Sequence, residues 1–132
     1  MQYVKSFRDL EVYRLSRQLS KDIFEATKKF PKEEMYSLTD QIRRSSRSIG
    51  AQIAEAWAKR KYEKHFVSKL TDADGEQLET QHWIETALDA SYFSTDEAHI
   101  LLSQYASIGR MLHSMISKSA SFCTQNPRTG DQ

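Results

Sequence analysis

Cysteine occurs once in this 132-residue chain, proline twice and glycine four times. The lone Cys123 excludes an internal disulfide and fits a reducing compartment. So few turn-formers beside 28% charged residues exclude a turn-dense sandwich or barrel and favour long surface helices in one domain. No stretch approaches the roughly 18 uninterrupted apolar residues of a membrane span. The opening Met1-Gln2-Tyr3-Val4-Lys5-Ser6-Phe7-Arg8-Asp9 lacks the apolar run of a signal peptide. A cytoplasmic protein without membrane contact is therefore expected. Also missing are a G-x-S-x-G elbow, a phosphate-cradling glycine loop and any Cys/His metal spacing. The histidines His65, His82, His99 and His113 are scattered singly, and Cys123 falls at the fraying end of the last helix. The sequence points away from an enzyme and predicts neither cofactor nor metal.

What the chain does have is charge, and it is segregated. The net charge is only +1, yet residues 1–64 carry fifteen basic against nine acidic side chains, while residues 65–100 carry one against eight. A basic half and an acidic segment suggest electrostatic complementarity, either within one subunit or between neighbouring copies.

The apolar residues recur at helical steps. Val12, Leu15, Leu19, Ile23, Ala26 and Phe30 predict a first helix from about Asp9 to Lys29. Phe30-Pro31 breaks it, and Pro31 with Glu33 and Glu34 predicts an immediate second start. Leu38, Ile42, Ser45, Ile49, Ile53 and Ala56, with Trp57 beside them, carry that helix to about Ala58, slightly weakened at Gly50. A third helix, marked by Phe66, Leu70, Ala73, Ile84, Ala87 and Leu88, runs to about Ala90 with an unusually polar middle. Ser94 and Glu97 have capping-box spacing, opening a fourth helix striped by Leu101, Tyr105, Ile108, Leu112 and Met115. The polar segment 124–132 is expected to be a disordered tail, leaving 1–123 as the folded unit. Four such helices with short connections bury their stripes most simply as an all-α, antiparallel up-down four-helix bundle.

The most suggestive cluster is Arg43, Arg44 and Arg47, followed by Lys59, Arg60, Lys61 and Lys64. Guanidinium forks on one helix face can grip successive phosphates or carboxylates. The plainer reading is a solvated or subunit-facing basic surface with local pairs, Asp40 to Arg44 and Glu55 to Lys59, each at i,i+4. Glu79 and His82 have the Glu-x-x-His spacing of di-iron bundles, but the motif has no second copy. They read as a solvated acid beside a partly packed histidine, so a metal-dependent enzyme is only a third possibility. Trp57, Trp83 and Tyr92 could stack on bases, though their spacing suits packing better.

The order of short motifs resembles the four-helix-bundle proteins encoded within intervening sequences of bacterial 23S ribosomal RNA genes. The resemblance runs through Phe7-Arg8-Asp9-Leu10-Glu11-Val12-Tyr13, Phe30-Pro31, Glu34, Tyr36 and Leu38. It is densest at Gln41-Ile42-Arg43-Arg44-Ser45-Ser46, Ser48-Ile49 and Ile53-Ala54-Glu55, and returns at Glu79-Thr80-Gln81 and Ile108-Gly109-Arg110-Met111-Leu112. Gly50 and Gln52 stand where many members have proline and asparagine, and Ala56 where many have glycine. The resemblance implies a bundle assembling as a homopentamer. It also implies kinship with an accessory protein of diversity-generating retroelements, which assists a reverse transcriptase and contacts nucleic acid. Arg43 and Arg44 lie within the resemblance; Arg47, Lys59, Arg60 and Lys61 rest on charge alone. The resulting expectation is a homo-oligomer presenting Arg43, Arg44, Arg47, Lys59, Arg60 and Lys61 to RNA, DNA or a nucleic-acid-processing protein. The rival is a purely structural self-assembling scaffold.

Overall fold

A computed structural model describes residues 4–123, so the expectation for the segment 124–132 lies outside the described residues. Helices α1 (Glu11–Ala26), α2 (Leu38–Ala58), α3 (Glu63–Asp89) and α4 (Thr95–Ser117) make the bundle, and one short turn of helix, α5 (Ser119–Phe122), follows. α1 and α3 each pack on both α2 and α4, the ring order of an up-down bundle. Contacts such as Ser45 with Thr80 and Gln52 with Lys69 run in opposite directions along α2 and α3, so these neighbours are antiparallel.

The apolar stripes are the core. All six stripe positions of α2 are buried, as are Leu101, Tyr105, Ile108, Leu112 and Met115 of α4. On α1 the stripe is narrower than its spacing suggests, since Leu15 and Ala26 are only half-buried at the bundle edge. The polar middle of α3 has a physical reason: Gln77 and Thr80 occupy buried positions between Ala73 and Ile84. The Thr80 hydroxyl meets Ser45 Oγ at 2.8 Å and donates to the Glu76 carbonyl. Gln77 packs so close to α4 that a Cβ at Gly109 would fall 2.8 Å from its Nε2, so a larger residue there would require the Gln77 amide to move.

The largest departure from the expected boundaries is the α1–α2 connection. α1 stops at Ala26, where the Thr27 hydroxyl folds back onto the carbonyls of Ile23 and Phe24. Two 3-10 turns, Thr27–Lys29 and Lys32–Glu34, flank the extended Phe30-Pro31, and α2 begins only at Leu38. Glu34 does not sit in the first turn of α2 but caps it from outside, accepting from the Ser37 hydroxyl and the Leu38 amide. The same carboxylate accepts from the Tyr92 hydroxyl, and Lys29 pairs with Glu97 at 2.6 Å. This closes the α1–α2 connection onto the α3–α4 turn. In that turn Ser91 takes a left-handed conformation (φ 63°) as α3 ends, a helix-stop geometry in which glycine is commoner. The Ser94–Glu97 capping box is formed as its spacing predicts. An analogous box, Ser6 with Asp9, caps the 3-10 turn Phe7–Asp9 ahead of α1.

Candidate nucleic-acid interface

The three arginines of α2 face three environments. Arg43 turns inward along α1: its Nε donates to Thr27 Oγ1 at 2.8 Å, one Nη to the Phe24 carbonyl at 3.3 Å, and its guanidinium lies over the Phe24 ring at 4.5 Å. Arg44 points to α3, where it forms ion pairs with Glu76 and Glu79. The Glu79 carboxylate holds the Arg44 charge above its ordinary range, with Glu76 adding to the effect. Burial pushes Glu79 upward, but donation from the Trp83 indole and from Arg44 wins, and its carboxyl lies below the usual range. The acid of the Glu-x-x-His spacing is thus occupied by Arg44 and Trp83, while exposed His82 packs edge-on against Trp83. Arg47 is exposed, lies 5.4 Å from the Phe24 ring centre, and has no ion pair among the described residues.

The local pairs expected on α2 do not form. Arg44 bypasses Asp40 for Glu76 and Glu79, and Glu55 pairs with Lys69 at 2.9 Å instead of with Lys59. Asp40 and Glu55 both lie on α2 itself, whereas α3 brings Glu76 and Glu79 to Arg44, and Lys69 to Glu55, across a packed seam. A partner held by tertiary packing costs less side-chain ordering than a pair made on a free helix surface.

Lys59, Arg60 and Lys61 form a second cluster at the far end of α2. Twelve residues separate Arg47 from Lys59, about 18 Å along a helix, so the six candidates do not make one patch. Arg60 lies flat on Trp57, 3.7 Å from the ring centre, with Nε donating to the Trp57 carbonyl. Lys59 and Lys61 are exposed without ion pairs among the described residues. Trp57, Trp83 and Tyr92 are all half-buried against the core, as their spacing suggests.

Sequence reasoning missed the cations of α1. A cleft of about 230 Å³ between α1 and α2 is floored by Ser16, Ser20, Ser46, Gly50 and Ala54 and flanked by Arg17 and Arg47. It adjoins a second concavity along α1 lined by Arg8, Arg14, Arg17 and Lys21, and a third along α2 whose charged lining is Asp40, Arg43, Arg44 and Arg47. Among the described residues Arg17, Lys21 and Arg47 pair with no carboxylate, and Arg14 reaches Asp9 only at 3.8 Å. Half-buried Phe24 gathers Lys28, Arg43 and Arg47 around its ring. A signal for this surface was present: Arg14, Arg17 and Lys21 recur on the polar side of α1 at three- and four-residue steps, and Lys28 follows seven residues on in the turn after it.

The fold and this surface define an all-α four-helix bundle with a cation-lined α1/α2 face. The chain belongs to the 23S rRNA-intervening sequence protein family, which it matches over residues 8–114. Among solved structures it is similar to a protein of unknown function from the S23 ribosomal protein family of Bacteroides thetaiotaomicron. The two share 28% identity with a TM-score of 0.73, over 80% of this chain and 95% of that one. No curated protein matches the chain. No helix among the described residues is long and apolar enough to cross a membrane.

Proposed function

We propose that this chain is a non-catalytic, homo-oligomeric bundle protein that holds nucleic acid on its α1/α2 face. The observation that carries the reading is the row of cations that form no ion pair among the described residues. Arg17, Lys21 and Arg47 line adjoining clefts and pair with no carboxylate among the described residues, whereas Arg44, beside Arg47 but turned toward α3, is paired with both Glu76 and Glu79. Unpaired guanidinium and ammonium groups in a concave surface are what backbone phosphates require. In this reading Arg43 positions the surface through Phe24 and Thr27, while Lys59, Arg60 and Lys61 supply a second contact.

The kinship with the retroelement accessory protein that the motif resemblance implies would, if it holds, extend the reading to a pentamer that serves a nucleic-acid-processing partner. The binding role also suits Cys123, whose thiol is pushed up by burial and is a poorer nucleophile for it. A self-assembling scaffold without nucleic acid draws on different residues, Leu78 of α3 and Ile100 of α4, whose apolar side chains are exposed.

Titration of the protein into labelled RNA and DNA at several salt concentrations separates the two. The nucleic-acid reading expects affinity to fall steeply with salt, and the Arg17→Glu/Arg47→Glu variant to lose at least about 1.4 from the log–log slope through two lost phosphate contacts. Absence of binding at low salt overturns the reading in favour of the scaffold. Sedimentation of the same samples at low and high salt tests the homo-oligomer, which a monomer at both would exclude.

A further inference from the structure

The α2–α3 turn carries cations and an aromatic ring that the bundle does not use. Tyr62, the residue before α3, is 54% exposed, although its backbone is fixed: its amide donates to the Lys59 carbonyl, and its own carbonyl accepts from His65 and Phe66. The ring sits 5.5 Å from the His65 imidazole in a tilted arrangement, and an open notch runs between Tyr62, Glu63, Lys64 and His65. Lys59, Lys61 and Lys64 are exposed around it, and none forms an ion pair among the described residues. The one acid at the turn, Glu63, is drawn aside to accept from the Ser119 hydroxyl of α5. Beside Tyr62, the Arg60 guanidinium is spread over Trp57, a second flat and cationic surface.

Burial explains none of this. A fixed backbone that holds an uncovered aromatic among unpaired cations matches what single strands need: a π-face for an unstacked base, and cations within reach of the flanking phosphates. Duplex stacks its own bases inside and offers such a ring nothing. We propose that the α2–α3 turn is a single-strand binding tip, in which Tyr62 stacks on an unpaired base and Lys59, Lys61 and Lys64 hold its phosphates. This rests on the nucleic-acid reading and adds to it a preference for unpaired segments.

The test compares one labelled oligonucleotide as a single strand and as a duplex, in RNA and DNA versions, bound to the full chain and to Tyr62→Ala and Tyr62→Phe. Single strand is expected to bind more tightly than duplex. Tyr62→Ala is expected to lose about 5- to 150-fold on the single strand, the range for removing one base–aromatic stack, and nothing on the duplex. Tyr62→Phe keeps the ring and should keep the affinity. Because Tyr62 is exposed, an unchanged circular dichroism spectrum and melting temperature are expected. If Tyr62→Ala binds the single strand as the parent does, or weakens both forms equally, the tip is overturned while the α1/α2 surface stands. If the parent binds neither form, both proposals fall.

Discussion

The two flanks of α2 carry the same kind of residue to opposite ends. Toward α3, Arg44 meets Glu76 and Glu79, and Ser45 meets Thr80, so charges and hydroxyls are paired across the seam, with buried Glu76 Oε1 held by the 3.5 Å ion pair alone and by no hydrogen bond. Toward α1, Arg43 and Arg47 meet a phenylalanine ring and hydroxyl or carbonyl oxygens, with Arg17 and Lys21 nearby and no acid in partnership with Arg47. One flank is finished inside the subunit and the other is left positive. Neighbouring positions on one helix thus acquire different roles from the helix they face, because 100° per residue turns Arg44 toward α3 while Arg43 and Arg47, four residues apart, share the face toward α1. The complementarity of the basic and acidic segments is accordingly realised in part within the subunit, by Arg44 with Glu76 and Glu79 and by Lys29 with Glu97.

The sharpest way to break the contrast is Arg44→Glu. It places a third carboxylate beside Glu76 and Glu79, in a seam where Glu76 is 22% and Glu79 35% exposed. A loss of about 2 kcal/mol is expected, between the value of an exposed pair and that of a fully buried one. Urea unfolding measures it, and an unchanged midpoint would place the seam among ion pairs of no consequence. Nucleic-acid affinity of the folded variant should change little.

The next comparison sets Arg43→Met against Arg47→Ala. Arg43→Met removes the donors to Thr27 and Phe24 and the charge over the ring, and should cost about 1–1.5 kcal/mol of stability. Arg47→Ala should leave stability within about 0.5 kcal/mol, yet lower the salt slope of nucleic-acid binding by about 0.7–0.9, one phosphate contact. If both variants behave alike in unfolding and in binding, the division of labour between the two arginines is wrong.

How far the sequence carried this picture depended on distance along the chain. Helical stripes need only neighbours three and four apart, so α2 and α4 were legible almost residue by residue, and so was the Ser94–Glu97 box. The middle of α3 read only as unusually polar because its stripe continues through Gln77 and Thr80, whose burial depends on Ser45 and Gly109 standing opposite them. The α1–α2 junction was misplaced because Glu34 is held by Tyr92, 58 positions away. The candidate surface was legible as a charge imbalance but not as a partition. No spacing within α2 could reveal that α3 takes Arg44, or that Phe24, off the apolar stripe of α1, would collect Lys28, Arg43 and Arg47.

The smallest expected effect concerns pH. Glu79 has its carboxyl lowered from an ordinary value of 4.5: burial opposes the shift, but Trp83 and Arg44 overcome it. A depressed folded value means that the carboxylate adds stability above the unfolded value, and that this contribution drains away as the pH falls through the folded one. Arg44 is raised and stays charged throughout, so the loss follows Glu79 alone in this pair. Because Glu79 is 35% exposed, its contribution is about 0.5 kcal/mol after solvent screening. Glu34 and Glu97 are lowered too, Glu34 mainly by the Ser37 and Tyr92 hydroxyls and Glu97 mainly by Lys29, so the parent should weaken in acid by more than Glu79 explains. In Glu79→Gln the indole keeps an oxygen acceptor but Arg44 loses the nearer of its two charge partners and keeps Glu76. Its urea midpoint should fall slightly at pH 7 and converge on the parent below about pH 4, where the parent carboxylate is also being neutralised. Parallel midpoint curves that never converge would show that the Arg44–Glu79 pair contributes through shape and packing, and that the matched flank of α2 is not held by charge.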